Sequence, residues 1–234
     1  MARAIPPDRF QQLVDCATQV FIEQGYARTQ MADVAEAMGI AKGTLYLYVE
    51  SKEALFDLVV RSADATHPLA TPSKLPLSTP RPGATLQYVR KRLVAQPPLP
   101  ALLAALNRQR VADAQAELTE IVREIYRTLS RNRRAIKLMD RSAQFHPEIA
   151  AVWFQTARGG LVAELSEYLK SRIKRNVLRS VPDTAVAARV MLETIVTWAV
   201  HRHWDPSPEE IDDQTAEDTV IQFLVGGLMK EAKP

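Results

Sequence analysis

The chain has 234 residues, 47% of them apolar and 24% charged. That is an ordinary globular composition, and it excludes a wholly disordered or collagen-like chain. The formal net charge of +3 is unevenly spread: residues 1–60 carry 5 Lys/Arg against 8 Asp/Glu, residues 81–141 carry 13 against 5, and residues 181–234 carry 4 against 10. Any nucleic-acid binding near the N-terminus therefore has to rest on placed side chains and not on bulk charge.

The N-terminus (MARAIPPDRF) lacks the apolar core of a secretory signal, and no run of about 18 apolar residues exists to cross a membrane. The one cysteine, Cys16, cannot form an intrachain disulfide. A reducing cytoplasm is the expected compartment.

In chain order, Phe10, Leu13, Val14, Ala17 and Phe21 recur on one face of a first helix, which Gly25 ends. Thr29 is the expected N-cap of a second helix, with Met31, Val34, Ala35 and Met38 facing inward and Gly39 stopping it. Lys42 to Val49 make a short third helix. Ser51 caps a fourth, with Leu55, Leu58 and Val59 turned in. Residues 66–82 hold five prolines and no periodicity, so they read as a linker or long loop.

The larger remainder is helical as well. Predicted helices run over Leu99–Val111, from Leu118 to about Asp140, from Pro147 through Ile173, and from Asp183 to about Trp204. A last helix is expected to open at Ser207-Pro208-Glu209-Glu210, where a capping serine, a first-turn proline and a glutamate coincide. Its apolar residues, like those of the helix before it, cover more than one face. That pattern calls for two buried faces, one on the core and the other on a second copy of the chain, with a monomer whose helices are internal as the competing reading.

Ala35, Gly39 and Leu45 have the spacing of a helix-turn-helix: a small residue at the crossing, a glycine in the turn, an apolar plug in the next helix. Such a motif lays its second helix in the DNA major groove. Lys42 reaches a guanine edge or a phosphate, Gly43 lets backbone approach, and Thr44 offers a hydroxyl and a methyl. Tyr46 and Tyr48 present hydroxyls to phosphates, Thr29 and Gln30 stand at the start of the second helix, and Lys52 begins the fourth. Arg123, Arg127, Arg131 and Arg134 read as a solvated face with local pairs such as Glu120–Arg123 and Glu124–Arg127. No nucleophile triad, phosphate loop or metal-ligand spacing is present, and His201 and His203 are two apart, so they diverge on a helix. No cofactor, no metal and no enzymatic role are expected.

Residues 25–55, and above all KGTLY followed by SKEAL, resemble the DNA-binding domain of the tetracycline-repressor (TetR/AcrR) family. The resemblance implies an all-α homodimer: a three-helix DNA-binding domain (1–65), the proline-rich linker (66–82), and a helical ligand-binding and dimerisation domain (83–234). By position it makes Lys42, Gly43, Thr44, Tyr46, Leu47 and Tyr48 the base-reading segment, and Thr29, Gln30 and Lys52 phosphate contacts. It implies dimerisation through the last two helices and a repressor released from a pseudo-palindromic operator by a small molecule. Met139, Phe145, Trp153, Phe154 and Trp198 are the candidate ligand-binding residues, with plain core packing as the competing reading. Two departures stand out: Ala41 occupies a position where serine usually caps, a loss of about 1 kcal/mol, and Leu47 one where a polar or aromatic residue is frequent. The alternative function is a helical small-molecule-binding protein without operator-specific DNA binding.

Overall fold

The structure, a computed structural model, describes residues 7–63, 69–95, 99–144, 147–207 and 209–230. The described residues form helices joined by turns, with two isolated backbone bridges and no strand. The chain is all-α, and none of these helices is long and apolar enough to cross a membrane.

The helices are α1 (Pro7–Gln24), α2 (Met31–Ala37), α3 (Lys42–Leu45), α4 (Lys52–Ser62), α5 (Ala84–Ala95), α6 (Pro100–Asn107), α7 (Ala114–Arg131), α8 (Arg133–Ala143), α9 (Pro147–Ala150), α10 (Gly159–Lys174), α11 (Thr184–Ala199) and α12 (Asp213–Leu228). A π-helical stretch (Ala151–Arg158) joins α9 to α10, and a 3-10 turn (His201–Trp204) follows α11. They fall into two compact units: residues 1–95 with 134–153, and residues 96–133 with 154–234. The first unit thus runs beyond the boundary suggested by the prolines at 66–82 and takes in α5 and most of α8.

The first unit is built on α1. Phe10, Leu13, Val14, Ala17 and Phe21 are buried and face α2 and α4. They meet Val34, Leu45, Val49, Leu55 and Val59, all at full burial. Phe21, Tyr26 and Phe56 close one end of this core, with the Phe21 and Phe56 rings edge-on at 5.2 Å. The later segment of the unit is tied back to α1 through α8: Arg134 pairs with Asp15 at 2.9 Å, and Arg141 donates to the Ile22 and Glu23 carbonyls.

In the second unit α11 packs on α7, α10 and α12, while α6 packs on α7 and α10. Its centre holds an ion pair. Arg172, fully buried, donates to Glu117 (2.7 Å) and to the Ala105 carbonyl (2.7 Å), and Arg108 donates to the second Glu117 oxygen (2.9 Å). Removing one partner of such a pair costs about 3–5 kcal/mol, because a bare charge stays behind. Glu124 is not paired with Arg127. It accepts from the Ala101 and Leu102 amides at the start of α6, while Arg127 reaches Glu217 on α12 at 2.9 Å.

Candidate nucleic-acid interface

Three local devices set the angle of α3. Gly39 takes φ +65°, and Gly39 N–H and Ile40 N–H donate to the Glu36 and Ala35 carbonyls. These are the two bonds of a Schellman end, which need a left-handed residue at that point. Leu45 is then buried as a plug, with Tyr48 and Val49 on the same side. Finally, Ser51 caps α4 by accepting from Ala54 N–H at 3.1 Å. The opposite side of α3 is bare: Lys42, Gly43, Tyr46 and Leu47 are exposed, Leu47 at 61%, and Thr44 is half-buried.

The expected contact residues therefore separate. Lys42, Gly43, Tyr46 and Leu47 share the open face, with Thr44 at its edge, and Gln30 is exposed at the start of α2. Thr29 is not the cap of α2. That position is Gln30, whose N–H donates to the Asp33 carboxylate at 2.7 Å. The Thr29 side chain, 1% exposed, donates instead to the Gly25 carbonyl at 2.9 Å and is closed off from any phosphate. Tyr48 is also corrected, at 6% exposed. It lies three residues after Leu45 and beside Val49, so it belongs to the plug and not to the open face.

Lys52 has a structural role that the sequence did not announce. Its ammonium donates to the Tyr26 and Thr29 carbonyls at 3.0 and 3.1 Å and lies 4.6 Å from the centre of the Tyr26 ring. It locks the turn between α1 and α2. Glu53 accepts from the Tyr26 hydroxyl at 3.2 Å. Burial, followed by the Glu53 charge and that hydrogen bond, pushes the Tyr26 hydroxyl up to about 12.

The candidate ligand residues lie in different places. Met139 lines a cavity of about 170 Å³ in the first unit, together with Phe56, Leu86, Val89 and Ile149. Trp153 also belongs to the first unit and donates to Asp140. Phe154, below the Arg158 guanidinium, and the half-buried Trp198 belong to the second. Phe145 lies outside the described residues.

An exposed, lysine-led face on a helix seated by a Schellman turn is a helix-turn-helix geometry. The model of the tetR family of bacterial regulatory proteins matches residues 13–59. Over 45 residues the chain is 40% identical to the fatty acid metabolism regulator protein of Bacillus subtilis, covering 19% of this chain and 23% of that one. Over 50 residues it is 40% identical to the transcriptional repressor KstR2 of Rhodococcus jostii, covering 21% and 24%. The chain thus spans about a quarter of the length of these relatives. Among solved structures, KstR2 of Mycobacterium tuberculosis matches at a TM-score of 0.56 and 16% identity, over 97% of this chain and 98% of that one. SCO3833 of Streptomyces coelicolor, a member of the TetR transcriptional regulator family, matches at 0.53 and 21%, over 93% and 91%. These two likenesses extend the tetR-type fold to the helical remainder.

Proposed function

We propose that the chain is a DNA-binding transcriptional regulator, a repressor that holds a pseudo-palindromic operator as a homodimer and is released by a small molecule. The observation that carries this reading is the exposed face of Lys42, Gly43, Tyr46 and Leu47 opposite the buried Leu45. In this reading residues 1–65 hold DNA, with Lys42 and Tyr46 on base edges or phosphates, Leu47 against a thymine methyl, and Gln30 on the flanking backbone. Residues 83–234 bind the effector and the second copy. Exposed Val186 and Val190 on α11 and Phe223 on α12 support pairing through those helices. The repressor named among the relatives supports repression over activation.

Release follows from coupling between two sites. An effector that favours the wrong spacing of the paired α3 helices by about 1–3 kcal/mol lowers operator affinity about 5–150-fold. Two-fold symmetry puts the half-sites one DNA turn, or a multiple of it, apart.

The acidic balance of residues 1–60 favours the second reading, a helical small-molecule binder with no operator. Selection of bound duplexes from a random pool, followed by a salt titration, separates the two. The repressor reading expects an enriched inverted repeat and a log K that falls linearly with log salt, with Lys42→Ala flattening the slope by about 0.9 per bound copy. A pool that yields no enriched sequence overturns it.

A further inference from the structure

The described part of the proline-rich segment is a strap laid against the DNA-binding helices. Leu77 forms a parallel bridge with Val49. Its N–H donates to the Tyr48 carbonyl at 2.8 Å, and its carbonyl accepts from Glu50 N–H at 3.0 Å. Two residues on, Thr79 N–H donates to the Glu50 carboxylate at 2.9 Å and the Thr79 hydroxyl to Ser51 Oγ at 2.8 Å. Nearer its start, Leu69 N–H donates to the Gln11 side chain on α1 at 2.9 Å. The strap is therefore pinned at two points, with Lys74 between them.

Lys74 is three residues before Leu77, at most about 10 Å of chain away. It is itself exposed and has no ion-pair partner among the described residues. The same strap engages both oxygens of Glu50, the carboxylate that follows α3, through Ser78 and Thr79. Just after α3 a carboxylate is thus tied down, and a cation without an ion-pair partner among the described residues lies three residues before the bridge.

We propose that the strap is a second DNA-contacting element, in which Lys74 holds the duplex phosphate next to those reached from α3. The proposal rests on the DNA-binding reading above, and its test keeps the two apart. Full-length protein is titrated by fluorescence anisotropy against the selected operator and against a random duplex of about 30 base pairs, from about 50 to about 200 mM salt. Lys74→Ala is compared with Lys74→Arg, Lys42→Ala and, as a remote control, Lys170→Ala.

Loss of one phosphate contact flattens the log–log slope by about 0.9 per bound copy, so the deficit of Lys74→Ala relative to wild type shrinks about 3.5-fold per bound copy across that range, about 12-fold for a dimer. Lys74→Arg restores the slope, and Lys170→Ala leaves it unchanged. The effect is equal on both duplexes, because a phosphate contact carries no sequence information. A wild-type slope in Lys74→Ala beside a flattened one in Lys42→Ala overturns the strap contact and leaves the regulator reading standing. A flattened slope without operator selectivity keeps the strap contact and overturns the operator. Wild-type protein that binds neither duplex overturns both.

Discussion

A methyl group added at Gly43 would meet nothing within 4 Å. Alanine there saves backbone entropy, and in a helix it is worth about 0.5–1 kcal/mol over glycine. Gly43→Ala is therefore expected to stabilise the protein by about that much in urea unfolding. If DNA backbone comes close at this residue, the same methyl lowers operator affinity, about tenfold for a loss of 1.4 kcal/mol. Unchanged affinity would show that nothing approaches residue 43. Two neighbours mark how far single residues are legible in a sequence. Tyr48 follows Leu45 by three and precedes Val49, so its burial is written in local spacing and a hydroxyl-based reading overlooks it. Lys52 is different: its acceptors, the Tyr26 and Thr29 carbonyls, lie 26 and 23 positions away. Only the folded turn between α1 and α2 brings them to it.

Helix ends divide the same way. The ends of α1, α2 and α4 follow from Gly25, Gly39 and Ser51, because each end uses a bond within a few residues. The last helix does not start at Ser207. It starts at Asp213, where Asp212 accepts from both the amide and the hydroxyl of Thr215 at 2.8 and 2.6 Å. The helix predicted over 118–140 breaks at Asn132, which neither glycine nor proline announces. That break places Arg133 against the 3-10 turn. Arg133 donates to His203 Nε2 at 2.6 Å and pairs with Asp213 at 2.7 Å, while Arg202 also binds Asp213. A nitrogen that accepts from arginine carries no proton. Burial first, then Arg133 and Arg202, hold the His203 imidazole below its ordinary value, with Asp213 opposing. A histidine whose folded value is depressed leaves stability intact above the unfolded value of about 6.5 and removes it as pH falls below that. The melting temperature is expected to fall between about pH 7 and pH 5, and His203→Gln to flatten that part of the profile. An identical profile in the variant would place the acid sensitivity elsewhere.

At the scale of the molecule, the apolar residues of α11 and α12 serve two surfaces. Met191, Ile195, Val220 and Leu224 are buried within the second unit, while Val186, Val190 and Phe223 (77% exposed) point away from it. Burying one large apolar side chain is worth about 1.5–3 kcal/mol, and a two-fold pair counts each position twice. Val190→Glu with Phe223→Glu is expected to convert a dimer to a monomer in light scattering, with helicity retained. A wild-type mass equal to one chain would remove α11 and α12 as the pairing surface.

The chain also passes between its units three times, near residues 95, 133 and 153. Asp15 and the last carbonyls of α1 are partnered by Arg134 and Arg141, which come from beyond the first crossing. A fragment cut after residue 95 would leave those groups to solvent and uncover the side of Met139. Shuffling the first unit onto a different second unit by one recombination breakpoint would thus sever it from its own second instalment, and a viable transplant has to carry residues 134–153 along.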